Sequence, residues 1–167
     1  MTQGRRRVAV VVLAAAGVLS GAAANADDAP AAPRFAEGAQ TFLANCAVCH
    51  RATGVGQPGL APPLTSYPAR YIATAEGRRQ LVLTALYGMF GEITVDERHF
   101  NFKMPDFSRF DDATLAAVLN FVVFDISHAA ATEAPLQPED VARERSAGLS
   151  GEAVRRHRAE VLGAPAS

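Results

Sequence analysis

Cys46-Ala47-Val48-Cys49-His50 is the stretch that decides how this chain folds. Its two cysteines stand three positions apart and a histidine follows the second, so one turn of backbone can present two thiols and an imidazole together. This five-residue pattern is typical of covalent attachment of a c-type haem. Cys46 and Cys49 would each add to a haem vinyl group, and His50 would lie beneath the iron as its proximal ligand. The motif therefore predicts one covalently bound haem c.

Two other interpretations of the cysteine pair are weaker. A thioredoxin-type redox pair sits between a β-strand and a helix N-terminus, which depresses the pKa of its first thiol. Here the motif follows a predicted helix and enters a segment rich in Gly and Pro, with no βαβ pattern around it. A structural disulfide between such close neighbours would close a very small loop and stabilise little.

The composition is that of a globular protein with a thin core of its own. Of the 167 residues 49% are hydrophobic and 20% charged, but aromatic residues reach only 7% and tryptophan is absent. A large buried cofactor would supplement such a core. Residues 1–26 hold three of the 16 basic residues and none of the 17 acidic ones, so the rest of the chain carries a net charge of −4. Nucleic-acid binding needs a basic surface and is therefore not expected.

The N-terminus resembles an export signal. Arg5, Arg6 and Arg7 precede an apolar run, and Ala24-Asn25-Ala26 fits the small-residue cleavage pattern ahead of Asp27. The strongly apolar stretch is about twelve residues, shorter than the roughly twenty of a membrane span. We therefore expect a signal peptide at 1–26, a linker at 27–33, a periplasmic location and no stable membrane insertion after cleavage. A retained membrane anchor is the alternative.

Hydrophobic periodicity predicts helices over most of the remaining chain. The first runs over about 35–45 with Phe35, Ala39, Phe42 and Leu43 on one face, a second over 74–87 stops at Gly88, and a third follows Asp111-Asp112, with buried positions Leu115, Val118, Leu119, Val122, Val123 and Ile126. The density of Gly and Pro in 46–71 predicts a loop, and a short β-hairpin is expected within 91–102. Residues 131–167 are expected to form a linker and a short helical C-terminal extension, with helices starting at Pro138 and after Ser150.

A second iron ligand has to come from elsewhere in the chain. The candidates are Met89, Met104, His99 and His128. Met104 is favoured because it lies in a segment without helical periodicity, is followed by Pro105, and comes just before the last helix of the domain. Met89, between Gly88 and Phe90, is expected to pack in the interior.

Over residues 34–130 the chain resembles the class I cytochromes c. The likeness lies in Gly38 and Phe42 before the motif, in Val118 and Phe121 of the last domain helix, in Ala61-Pro62-Pro63-Leu64, and in Met104-Pro105. It implies an all-α cytochrome c fold, three to four helices around one haem. It also implies that the Pro62 carbonyl accepts the Nδ1 hydrogen of His50, which would orient the ligand.

Ligation by His50 and Met104 would fill both axial positions of the iron, which suits outer-sphere transfer of single electrons and not substrate chemistry. The expected function is a periplasmic mono-haem electron carrier, not an enzyme, whose partners are redox proteins such as a dehydrogenase, an oxidase or another cytochrome. The C-terminal extension motivates an alternative, the haem-bearing subunit of a periplasmic dehydrogenase complex. A haem enzyme with a labile methionine is a third interpretation.

Overall fold

Residues 32–163 are described in the computed structural model, and helices account for their regular structure apart from one hairpin. In chain order the elements are α1 (Ala36–Asn45), α2 (Ala47–His50), α3 (Tyr67–Tyr71), α4 (Ala75–Tyr87), β1 (Ile93–Val95), β2 (Arg98–Phe100), α5 (Asp112–Asn120), a π-helical segment (Phe121–Ile126), α6 (Pro138–Glu144) and α7 (Gly151–Val161). The all-α fold class with a short hairpin is thereby confirmed. The signal peptide predicted at 1–26 and most of the 27–33 linker lie outside the described residues.

Three helices begin at residues whose side chains accept a hydrogen bond from the first turn. Thr74 accepts from the backbone N–H of Gly77 at 3.0 Å, Asp111 from Thr114 at 2.7 Å, and Ser150 from Ala153 at 3.2 Å. Each bond satisfies a donor that has no partner within the helix, which fixes where the helix starts. The predicted helices therefore begin within a residue or two of their observed positions.

Three expectations about local structure need correction. Leu43, which the spacing places on the buried face of α1, is 54% exposed, because that face is centred on Gly38, Ala39 and Phe42. The segment predicted as a loop contains the short helices α2 and α3. Helix α3 accommodates Pro68 in its first turn, where a missing N–H costs no hydrogen bond.

The last domain helix also changes its winding after Asn120. The N–H of Ser127 bonds the Val122 carbonyl at 2.9 Å, five residues back, so the segment is π-helical. The predicted apolar stripe nevertheless stays buried through Ile126.

Helices α1 and α5 cross at very close range. Gly38 lies directly on the backbone of α5, and a Cβ at this position would overlap the carbonyl oxygen of Ala117 and come within 2.9 Å of Phe121 Cβ. The ring of Phe42, fully buried, packs against that of Phe121 with centroids 5.5 Å apart. Because glycine has no side chain, the backbones of the two helices can meet at this position.

The C-terminal extension packs onto α4 and α5. Leu136 and Val141 belong to the same buried cluster as Leu86, Leu115 and Val123. The buried carboxamide of Asn120 donates to the Leu136 carbonyl at 2.9 Å and accepts from the Leu136 N–H at 2.8 Å. The apolar spacing of the extension alone does not predict this docking.

Arg145 is the main polar link between the extension and the start of α5. Its guanidinium donates to the Asp112 carboxylate at 2.7 Å, to the Ser108 carbonyl at 2.8 Å and to the Phe110 carbonyl at 2.7 Å. One side chain thus joins the end of α6 to the segment before α5. Within residues 32–163, none of the helices combines the length and the apolar character that crossing a bilayer requires.

Substitution of Gly38 by Ala should destabilise the fold. The new methyl group would meet a backbone carbonyl, which cannot rotate away, and overpacking of this kind costs about 1–3 kcal/mol. Urea unfolding of the purified protein measures the loss. Gln40→Ala, on the exposed side of the same helix, is the matched control and should unfold at the wild-type midpoint. Equal midpoints for both variants would contradict the close crossing.

Replacing Arg145 by Ala should also lower the free energy of unfolding, by about 1.5–3 kcal/mol, because its hydrogen bonds involve a charged donor. Arg143→Ala is the control, since Arg143 forms an exposed pair with Asp140 at 3.2 Å and such pairs contribute about 0–1 kcal/mol. The same urea experiment compares the two. If Arg145→Ala proved as mild as Arg143→Ala, the extension would not depend on this contact.

Candidate functional site

The two cysteines and the histidine of the motif are brought together by one turn that directly follows α1. The N–H of His50 donates to the Cys46 carbonyl at 2.9 Å, and that of Cys49 to the same carbonyl at 3.2 Å. The chain then leaves through Arg51, whose φ is 64°. Cys46, Cys49 and His50 all line one cleft of the molecule.

Cys46 and Cys49 are not joined by a disulfide bond. Burial raises the pKa of the Cys46 thiol to about 11; to a smaller extent the charge of Arg109 lowers it and the neighbouring Cys49 raises it. A catalytic redox pair requires the opposite shift, because its first cysteine must be a thiolate near neutral pH. In addition, the described residues hold a single two-stranded antiparallel sheet and no parallel strands. The surroundings of the motif therefore disfavour the thioredoxin-type interpretation.

His50 is held in one orientation and one tautomer. Its Nδ1 lies 3.0 Å from the Pro62 carbonyl oxygen, which can only accept, so Nδ1 carries the hydrogen and Nε2 keeps its lone pair. The residue is 8% exposed. Burial lowers the pKa of His50, partly offset by the hydrogen bond to Pro62, which favours the neutral imidazole that ligates metals. This is the contact that the family resemblance implies.

Met104 is fixed at the cleft by a backbone pairing with Met89. The Met104 N–H donates to the Met89 carbonyl at 2.8 Å, and the Met89 N–H to the Met104 carbonyl at 3.1 Å. Gly88, with φ of 67°, permits this approach because a Cβ there would overlap the Met104 carbonyl. Both methionines line the cleft and are half-buried. The placement of Met89 beside Met104 depends on this pairing, which sequence spacing does not indicate.

The other candidate ligands lie away from the cleft. His99 is on the exposed hairpin and pairs with Glu92 at 2.8 Å. His128 is exposed, with φ of 54°. Of the four candidates, only Met89 and Met104 line the cleft that the cysteine turn lines.

The cleft suits a haem in its chemistry. Its walls are mainly apolar side chains, contributed by helices α1 to α5 and α7 and by the hairpin. The residues that line this cleft include Cys46 and Cys49, whose thiols can form thioethers with a haem. They also include His50, whose Nε2 is free, and the two methionines with their sulfur atoms. Sulfur and imidazole donors in an apolar surround are the ligand set used for haem iron.

Two residues that line the cleft are not predicted by the sequence, Tyr71 and Arg158. The Tyr71 hydroxyl is buried and has no hydrogen-bond partner among the described residues. Arg158 comes from α7, beyond the region that resembles a family. No motif surrounds either residue, so only the tertiary structure reveals their position.

Comparison with known proteins gives the same answer as the geometry. A sequence model of the family described as cytochrome c matches residues 35–123, more than half of the chain. The cytochrome c-552 of Thermus thermophilus is 41% identical over 87 residues, and a second cytochrome c-552, from a particular strain of that species, is identical to the same degree over the same length. These matches cover 52% of this chain and, respectively, 66% and 58% of the relatives' own length. The chain thus spans less than two thirds of either relative.

The matched region contains α1 to α5, the cysteine turn, Pro62 and Met104, and it ends before the C-terminal extension. The cofactor indicated by this family and by the cysteine pair is one covalently bound haem c. The chain belongs to the cytochrome c family.

Proposed function

We propose that this protein is a mono-haem electron carrier whose haem is bound by Cys46 and Cys49 and ligated by His50 and Met104. The observation that carries the proposal is that the cysteine turn, with Cys46, Cys49 and His50, and the distant Met104 line the same apolar cleft. Bound haem supplies a reversible one-electron couple at its iron. The chain's part is to hold the ligands, exclude water and leave an edge open to partners.

Each residue has a distinct role in this proposal. Cys46 and Cys49 would tether the cofactor through two thioethers, which would hold it in place in both oxidation states. The Pro62 carbonyl lies 3.0 Å from Nδ1 and so leaves Nε2 of His50 as the nitrogen that would bind the haem iron. The Met89 backbone holds Met104 at the cleft through two hydrogen bonds. A thioether ligand raises the reduction potential relative to a second histidine.

Electron carriage is favoured over catalysis by the lining of the cleft. Among the described residues, no Asp or Glu side chain lines it, so it offers no carboxylate as a general acid or base. If His50 and Met104 both bound the haem iron, a substrate would find no open coordination site.

The sequence supports a location and a class of partner. We infer export to the periplasm, with residues 1–26 as the signal, and exchange of electrons with a dehydrogenase, an oxidase or another cytochrome. The alternative, a haem-bearing subunit of a dehydrogenase complex, is motivated by the extension. The apolar residues Leu136, Val141 and Val154 of that extension are buried in the chain's own interior, so no observation favours the alternative.

Substitution of Cys49 by Ser should leave one thioether at most or prevent maturation. Haem content of the purified variant, measured with a pyridine assay against protein concentration, should fall below that of the wild type. Val48→Ala changes an exposed residue of the same turn (76% exposed) and should load haem fully. Full covalent loading of the Cys49 variant would contradict the proposed attachment.

Substitution of Met104 by Ala should remove the weak far-red absorption band that accompanies iron–methionine bonding. It should also open a coordination site, so that the ferrous variant binds carbon monoxide promptly while the wild-type protein does not. Met89→Ala is the matched control, because Met89 lines the same cleft in the same backbone pairing.

If the far-red band were lost in the Met89 variant and kept in the Met104 variant, Met89 would be the iron ligand. Prompt binding of carbon monoxide by the wild-type protein would favour a haem enzyme with a labile methionine over a carrier.

A further inference from the structure

We propose that Arg158, supplied by the C-terminal extension, and the hydroxyl of Tyr71 bind a haem propionate, so that the extension is part of the electron-transfer site. This inference rests on the proposed function, because it requires the haem to occupy the cleft. It concerns a residue outside the region matched by the family, which ends at residue 123.

The charges around the cleft are unbalanced. Its lining includes the cationic side chains of Lys103 and Arg158 and, among the described residues, no carboxylate. Haem carries two propionate carboxylates. A half-buried cation without a counter-charge is unfavourable, and a carboxylate brought into the same cleft would compensate it.

The two cations differ in the partners they already have. Lys103 is exposed and acts on Asp106, whose pKa is lowered first by a hydrogen bond from Ser108 and to a smaller degree by the lysine. Arg158 is half-buried, and within residues 32–163 no carboxylate lies within ion-pairing distance of it. Its hydrogen bond to the Thr94 carbonyl is long, at 3.4 Å. Arg158 is therefore the cation whose guanidinium N–H groups can bind a carboxylate.

The Tyr71 hydroxyl is the second observation that points to a ligand. Tyr71 is 8% exposed, and its oxygen is buried with no hydrogen-bond partner among the described residues. A buried hydroxyl without a partner costs roughly 1–3 kcal/mol. Burial raises the pKa of Tyr71, and the adjacent guanidinium of Arg158 opposes this rise by its charge and as a hydrogen-bond donor. The hydroxyl nevertheless has no partner of standard hydrogen-bond geometry among the described residues.

A single carboxylate would satisfy both groups. It can accept one hydrogen bond from the hydroxyl and others from the guanidinium, and such charge-assisted bonds are about twice as strong as neutral ones. In addition, Tyr71 and Arg158 belong to α3 and α7, whereas the cysteines lie at the end of α1 and in α2. The vinyl and propionate groups occupy opposite edges of a haem. A propionate site is therefore expected on elements other than those that carry the cysteines.

The extension is held firmly enough to place this arginine. Helix α7 packs on α4, Val154 is fully buried, and His157 bonds the buried Gln80 of α4 at 2.6 Å. The neighbouring Arg156 is exposed and pairs with Glu152 at 2.8 Å. Arg158 and Arg156, on the same helix, thus offer a site variant and a charge-matched control.

The test compares the reduction potentials of holoproteins carrying Arg158→Gln, Arg158→Lys, Tyr71→Phe and Arg156→Gln. Because the oxidised iron bears the extra positive charge, loss of a nearby cation stabilises it, and Arg158→Gln should lower the potential. Tyr71→Phe should lower it as well, since a propionate without that hydrogen bond keeps more of its negative charge. Arg158→Lys should restore most of the potential, and Arg156→Gln should match the wild type.

Resonance Raman spectra supply a readout that a structural role would not move, since the propionate bending vibration responds to hydrogen bonding. It should shift in Arg158→Gln and Tyr71→Phe and stay in place in Arg156→Gln. Equal potentials for Arg158→Gln and Arg156→Gln, or a wild-type potential and vibration in Tyr71→Phe, would overturn the inference. If Arg158→Gln failed to accumulate, Tyr71→Phe would decide by the same two measurements.

The haem content of the wild-type protein separates this inference from the proposed function. Absence of covalent haem, or of a reversible one-electron couple, would reject the proposed function itself. A wild-type protein with normal haem and a reversible couple, whose potential is indifferent to residues 71 and 158, would reject the propionate site alone.

Discussion

The close passage of α1 over α5 is the constraint on which the rest of the structure depends. Gly38 lies against the α5 backbone with no room for a side chain between the two helices. The cysteine turn follows α1 without a linker, and its position is therefore set by the same contact. Helix α5 also contributes Leu115, Val118 and Leu119 to the cleft. The crossing of α1 and α5 therefore positions the cysteine turn relative to this part of the cleft.

Around this crossing the chain builds a cleft from segments distant in sequence. The Gly and Pro segment returns beneath His50 and presents the Pro62 carbonyl, while the backbone of Met89 pairs with that of Met104. Each of these contacts uses main-chain atoms and so depends little on which side chains neighbour it. The apolar residues of the walls lower the local polarity, and in such surroundings a few charged groups have a large influence. The electrostatic character of the site therefore depends on very few residues.

The sequence predicts what periodicity and capping can encode. The stripe from Leu115 to Ile126 and the caps at Thr74, Asp111 and Ser150 are local signals, and the structure follows them. The burial predicted for Leu43 is wrong because the spacing of apolar residues does not show where the centre of a buried face lies. The docking of the extension was not predicted, for another reason. Arg145 and Asn120 act through polar bonds to the backbone of segments 16 to 37 residues away, and such pairings leave no periodic trace in the sequence. The same holds for Tyr71 and Arg158.

The domain and its extension share one apolar interior, and this affects the solubility of the protein. Leu136 and Val141 share one buried cluster with Leu86, Leu115 and Val123. The Tyr87 hydroxyl donates to the carbonyls of Glu144 and Arg145, at 2.8 and 2.7 Å. A chain ending before this extension would turn a contiguous apolar surface toward water, and surfaces of that kind promote self-association. The extension thus acts as a built-in solubilising cover. Proteolytic removal of the extension would therefore first cause the holoprotein to aggregate.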